Sequence, residues 1–218
     1  MKDGKHPVST IFVTPALLLV LVVGSASAVA QSAPSNLPPG VYMGEADYKQ
    51  ATAGTYTLDP DHAAVIARVS HLRYSYSIFR FDRLSAELTW DPANVEKSAL
   101  TAKVETASIT SNVKGFAGQL AGDDFLKAGS FPEATFVSTA FRQTSPGRGK
   151  VDGQLTLMGK TKPVTFNVEL VGAGKGFAGQ PRIGINAHTS INPVDYGLPA
   201  LLGDAIEIVV DSEFQRNP

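Results

Sequence analysis

The sequence of 218 residues contains no cysteine. That absence removes disulfides, thiolate metal sites, cysteine nucleophiles and a cysteine-linked lipid anchor together. An excess of one charge is also missing, because 19 basic and 20 acidic side chains leave a formal net charge of −1. Bulk nucleic-acid binding needs a basic field, so nucleic acid is not an expected partner. Long apolar runs are lacking too. The longest near the start, Ile11 to Val23, is about 13 residues and carries Thr14 and Pro15, where a helical span needs roughly 20. There is no G-x-S-x-G elbow and no Gly-rich phosphate loop between a strand and a helix. Histidine is scarce: outside the first thirty residues only His62, His71 and His188 occur.

What is present begins with a leader. Lys2 and Lys5 precede the short apolar run, and Ala28-Val29-Ala30 offers a small-x-small cleavage site before Gln31. Residues 1–30 therefore read as a signal peptide, with an uncleaved anchor as the alternative. The product is expected in the periplasm or outside the cell. Residues 31–53 carry Pro34, Pro38, Pro39 and Gly40 with little periodicity, and read as a linker or N-terminal arm.

From residue 54 to the end, short runs rich in Val, Ile, Thr and Phe alternate with Gly, Asp, Asn and Pro. Strands are expected at Thr55–Leu58, Ala64–His71, Ile78–Trp90, Ser98–Glu105 and Ala134–Gln143, then at Lys150–Met158, Lys162–Val171, Arg182–Thr189 and Ala205–Gln215. One helical insertion interrupts them. Thr110 or Ser111 is a capping candidate, Val113, Phe116 and Leu120 follow at helical spacing, and Gly122 is the expected stop. Asp124-Phe125-Leu126 reads as a further short helical turn. Without βαβ alternation the sheet should be antiparallel. Many one-faced strands with too few helices to cover them must bury their apolar faces on each other, in a sandwich or a closed barrel. A barrel of about eight strands can also enclose one small ligand.

The stretch KVDGQLTLMGKTKPVTFNVEL, Lys150 to Leu170, reads as a hairpin. A two-residue turn at Gly159-Lys160 would use the tolerance of glycine for positive φ. It would place Leu155 opposite Val164, Gly153 opposite Phe166, Val151 opposite Val168 and Lys150 opposite Glu169. Leu155, Val164, Phe166 and Val168 then share the apolar face. Lys162 falls on the same face at the rim, where it either meets an anionic head group or bends to solvent. Alternation elsewhere puts Val65, Ala67, Val69 and His71 on one face of their strand, and Ile185 on the apolar face of another.

Three segments carry a resemblance: YTLDPDHAAVIARVSHLRYS, DDFLKAGSFPEATFVSTAF and VDGQLTLMGKTKPVTFNVEL. They resemble the YceI family of polyisoprenoid-binding, lipocalin-like periplasmic proteins. The matching positions are Asp59, His62, His71-Leu72, Asp124-Phe125, Phe131-Pro132, Thr135-Phe136 and Gly153 through Val164, within a likeness from about Tyr56 to Phe214. The resemblance implies an all-β, antiparallel, lipocalin-like barrel with a helix beside it. It also implies an apolar tunnel for an isoprenoid lipid, either a polyprenyl phosphate or a long-tailed quinone, and no catalysis. A lipid-acting barrel hydrolase or isomerase and a stress-response module with a filled barrel remain alternatives.

The expected ligand contacts are Val65, Ala67, Val69, His71, Phe136, Leu155, Lys162, Val164, Phe166, Val168 and Ile185, with no metal and no cofactor other than the bound lipid. Phe116, Phe125 and Phe131 are either ligand contacts or plain core. Phe79 and Ala86 stand where family members often carry glycine, so Phe79 is expected to narrow the tunnel. The helix reads VKGFAGQL, apolar where relatives are charged, which suggests an outer surface for membrane contact or self-association.

Overall fold

The computed structural model describes residues 37–176, 179–203 and 205–218. The expected leader at 1–30 and the first residues of the arm lie outside them. In chain order the elements are β1 (Gly54–His71), β2 (Ser75–Phe81), β3 (Leu84–Trp90), β4 (Ala99–Glu105), β5 (Ile109–Thr110), α1 (Phe116–Ala121), β6 (Glu133–Ser145), β7 (Arg148–Leu157), β8 (Lys160–Lys175), β9 (Pro181–Ile191), α2 (Pro193–Tyr196) and β10 (Ile206–Arg216). All pairings are antiparallel. The ring β1-β10-β9-β8-β7-β6-β4-β3 returns to β1, which closes an eight-stranded barrel, and β2 and β5 extend its wall. Closure leaves this ring no free edge and gives its apolar faces a shared interior.

β1 carries much of this geometry. Along one edge it pairs with β10 throughout. Along the other its first residues pair with β3 and its last with β2. The register against β10 shifts between Asp59 and Ala63, where Pro60-Asp61-His62 has no counterpart. Pro60 cannot donate to a ladder, and a bulge is the place that tolerates it. The two strands expected at 55–58 and 64–71 are therefore one bulged strand. Conversely, the single strand expected over Ile78–Trp90 is broken at Asp82-Arg83, where both backbone amides turn to Ser108 instead of to β1.

The β7–β8 hairpin corrects the expected register. Its turn is Met158-Gly159, with φ of 51° and 72°, the signs a type I′ turn requires. Pairing is two residues displaced from the expected set: Leu155 faces Lys162, Gly153 faces Val164 and Val151 faces Phe166. Sheet faces repeat every two residues, so the displacement leaves every side chain on its expected face. The cross-strand ion pair is Arg148–Glu169 at 3.0 Å instead of Lys150–Glu169, and Thr165 donates to Asp152 at 2.6 Å. The ring that covers Gly153 is Phe136 of β6, not Phe166.

The helical insertion is shorter than its spacing suggests. Ser111 Oγ accepts from the Val113 amide in a local turn, and the helix starts only after Gly115, at φ 78°. Gly122 ends it as expected. The Asp124–Leu126 stretch is a hydrogen-bonded turn and not a helix, tied by the Leu126 amide to the Leu120 carbonyl at 3.0 Å.

The barrel has two distinct ends. At one, residues 37–53 pack as an arm: Glu45 bridges to Ala173, a 3-10 turn spans Tyr48–Gln50, and Ala51 is fully buried. At the other lie the β1–β2 and β7–β8 turns, α1 and α2. Two buried clusters fill these ends. Tyr56, Leu88, Phe141 and Phe214 belong to the arm-end cluster, and Phe79, Leu120, Met158 and Tyr196 to the other, with Leu155 packed against both.

Candidate functional site: an apolar cavity along the barrel axis

Between the two clusters lies a cavity of about 340 Å³, within the size range of ligand sites. Tyr48, Ala51 and Trp90 bound it at the arm end, and Leu126, Leu198 and Leu202 at the hairpin end. Among the described residues, no histidine, aspartate or glutamate lines it, and the few hydroxyls, such as Ser85 and Ser212, come from separate strands. Lys103, Arg142, Arg148 and Lys150 also line it; Arg142, Arg148 and Lys103 are paired, with Asp152 at 2.6 Å, Glu169 at 3.0 Å and Glu133 at 3.2 Å.

Alternation builds this wall. Val65, Ala67 and Val69 project into it from β1, Phe136 from β6, Leu155 from β7, Phe166 and Val168 from β8, and Ile185 from β9. Phe136 and Phe166 meet edge to face at 5.1 Å, a favoured aromatic geometry. Three expected contacts are not on the wall. Val164 points inward but packs into the hairpin-end cluster. His71 is exposed, because it is the last residue of β1 and its side chain lies beyond the packed interior. Lys162 is exposed at the third pair from the turn, where its charge stays in water.

The cavity also takes residues that strand alternation did not single out. Phe79 lines it and is buried, with its ring 6.0 Å from Phe116. Phe125 lines it as well, whereas Phe116 and Phe131 pack in the cluster behind. Leu198 and Leu202 come from a Gly-bounded segment, GLPALLG, whose i, i+4 leucines were the available signal. Within VKGFAGQL, Leu120 is buried and lines the cavity and Phe116 is half-buried, whereas Val113, ahead of α1, is exposed.

The other titratable cluster sits at the β1 bulge, off the cavity. His62 Nδ1 lies 3.0 Å from Asp59, and Arg182 bridges Asp59 at 2.8 Å and Glu213 at 2.6 Å. Asp59, His62 and Glu213 have the spacing of a metal-ligand set, but the guanidinium already stands between the two carboxylates. Burial pushes the Asp59 carboxyl up, yet hydrogen bonds from His62 and Arg182 and the arginine charge outweigh it and hold the group below its ordinary value. His71 and His188 lie on other parts of the barrel, so the three histidines do not meet. Two buried polar atoms lack partners among the described residues, Trp90 Nε1 and Tyr196 Oη. The Trp90 ring stands edge to face with Tyr48 at 6.3 Å. Burial, and then the Asp195 charge, raise the Tyr196 hydroxyl above its ordinary pKa.

Comparison with known proteins agrees with this architecture. The UPF0312 protein of Pseudomonas putida (strain W619) is 38% identical over 168 residues, covering 75% of this chain and 88% of that protein. The crystal structure of Burkholderia cenocepacia BcnA superposes with a TM-score of 0.65 at 24% identity, over 72% of this chain and 98% of that one. A polyisoprenoid binding domain from Saccharophagus degradans superposes with a TM-score of 0.58 at 14% identity, over 74% and 98%. At these identities the two structures share a fold with this chain. The family model for the YceI-like domain matches residues 56–214, from within β1 to within β10, and on that match the chain belongs to the YceI family.

Proposed function

We propose that the barrel is an exported carrier of one isoprenoid lipid, a polyprenyl phosphate or a long-tailed quinone, and that it performs no chemistry on that lipid. The observation that carries this reading is the cavity itself. It runs from Trp90 to Leu202, is walled by aliphatic and aromatic side chains, and has no carboxylate or imidazole among its described lining residues. Such a wall favours a guest through removal of apolar surface from water, at about 0.8 kcal/mol per buried CH₂ before the cost of ordering a long tail. Polar specificity would have to come from the cavity ends. The binding named for the Saccharophagus degradans domain is consistent with this reading.

A barrel enzyme would need a nucleophile and a base within hydrogen-bond reach of each other beside the substrate. The wall supplies separated hydroxyls, and its cations Lys103, Arg142, Arg148 and Lys150 come with no carboxylate or imidazole among the described lining residues, which favours carriage over hydrolysis or isomerisation. The test is native mass spectrometry with organic extraction of protein purified without delipidation. The reading expects one apolar lipid per chain, unaltered by incubation. A chain that leaves cells empty and takes up neither polyprenyl phosphate nor quinone from vesicles would overturn it.

A further inference from the structure

The hairpin end of the barrel carries an apolar surface that the cavity does not use. At the β1–β2 turn, Leu72 is 69% exposed and Tyr74 is 88% exposed. Leu72 and Arg73 both hold positive φ, 50° and 64°. Such backbone is uncommon for leucine and carries a steric cost, yet here it lifts an apolar side chain into solvent. Tyr76 and Ile78 continue the exposed face along β2, with Arg68 stacked 4.8 Å over the Tyr76 ring.

Beside this turn lies the segment that bounds the cavity. Residues 197–203 are flanked by Gly197 at φ 87° and Gly203 at φ 88°. Their 3-10 turn, Ala200–Leu202, packs on β1. Leu198 and Leu202 face the cavity, while Leu201 is 70% exposed. One short segment thus presents leucine to the interior and leucine to the outside, between two glycines that hold positive-φ backbone.

We propose that this end docks on a phospholipid bilayer, with Leu72, Tyr74 and Leu201 entering the interface, and that segment 197–203 is the gate through which the cavity exchanges its guest. The reading of the cavity as a lipid site underlies the gate. A bilayer is favoured over a protein partner because the apolar side chains project from a turn tip instead of lining a groove. They also adjoin the gate of a cavity whose guest would partition into membranes. Tyrosine suits the interface, with an apolar ring and a polar tip. Arg73 at the tip, and Lys160 and Lys162 near the β7–β8 turn at the same end of the barrel, have no ion-pair partner among the described residues and are free to meet anionic head groups.

The absence of cysteine makes the test clean. Tyr74→Cys, Leu201→Cys and, as the arm-end control, Val171→Cys are each labelled with an environment-sensitive fluorophore and mixed with phosphatidylcholine–phosphatidylglycerol vesicles. Labels at 74 and 201 should shift to the blue and resist an aqueous quencher, and the label at 171 should not. A triple variant, Leu72→Asn, Tyr74→Ser and Leu201→Ser, should lose vesicle co-flotation by about tenfold or more, and delipidated variant should take up lipid from vesicles correspondingly more slowly than wild type. All three positions are exposed and asparagine tolerates left-handed backbone, so the variant should fold.

No shift, an equal shift at 171, or unchanged flotation of the triple variant would overturn the docking proposal. So would a dimer, detected by sedimentation, that the triple variant abolishes while wild-type labels ignore vesicles. Protein that purifies with lipid but ignores vesicles refutes docking and leaves carriage standing. Protein that docks but neither holds nor acquires lipid supports docking and refutes carriage.

Discussion

Filling the cavity from its wall separates an open bore from a self-packed core by the sign of one number. Ala187 on β9 is buried, lies on the wall, and is flanked across the ladders by Val168 and Val210. Ala187→Leu adds three carbons directed at the cavity. If the space is empty in lipid-free protein, each gains about 0.8 kcal/mol, for a total near 2 kcal/mol. A domain of this size shifts by about 2–4 °C per kcal/mol, so the melting temperature should rise by about 4–8 °C. In a filled core the same carbons would instead cost about 1–3 kcal/mol. The assay is urea and thermal unfolding of delipidated protein, paired with quantification of lipid retained by undelipidated protein. Stability should rise while retained lipid falls, because the leucine takes space from the guest. Ala102, on the wall beside Phe136 in the β4–β6 ladder, gives an independent repeat as Ala102→Leu. Destabilised lipid-free protein with undiminished lipid would refute the reasoning.

Other predictions follow from particular contacts. An added Cβ at Gly153 would lie 2.5 Å from the Val137 carbonyl oxygen and 2.6 Å from Phe136 Cε2; Gly153→Ala should therefore cost about 1–3 kcal/mol in urea unfolding, with partial recovery in a Phe136→Leu background. His71→Ala and Lys162→Ala remove exposed side chains and should leave extracted lipid at the wild-type level. Asp59 has a depressed folded pKa, so its stabilising contribution is complete above its ordinary value and is lost as pH falls through the folded one. Asp59→Asn should therefore lower the urea midpoint at neutral pH and show a shallower acid loss than wild type below about pH 4. Phe166→Asp places a carboxylate without a cation on the apolar wall and should abolish lipid retention, read by extraction from folded protein.

What was legible in the sequence was parity. Leu155, Phe166, Val168 and Ile185 point inward because alternation depends only on odd and even positions, and the two-residue displacement of the β7–β8 hairpin leaves it intact. Register was not legible there. Gly159 marked the turn, but not which of its neighbours shared it. The structure puts Met158 in the left-handed region, offset by burying its side chain in the hairpin-end cluster. Height along the barrel was equally hidden. His71 has the inward phase, yet it falls past the packed interior, where phase no longer implies burial, and Lys162 is exposed although its ladder partner Leu155 lines the cavity. The gate was missed for another reason. Leu198 and Leu202 belong to a segment with no strand period, and only the closed barrel shows that it lies across an end of the cavity.

The most direct measurement is a crystal structure of protein purified without delipidation. The account predicts one elongated density running along the axis between the Phe136–Phe166 pair and the Leu198–Leu202 segment. Side chains of opposite walls meeting across that space, with no guest and no room for one, would contradict it.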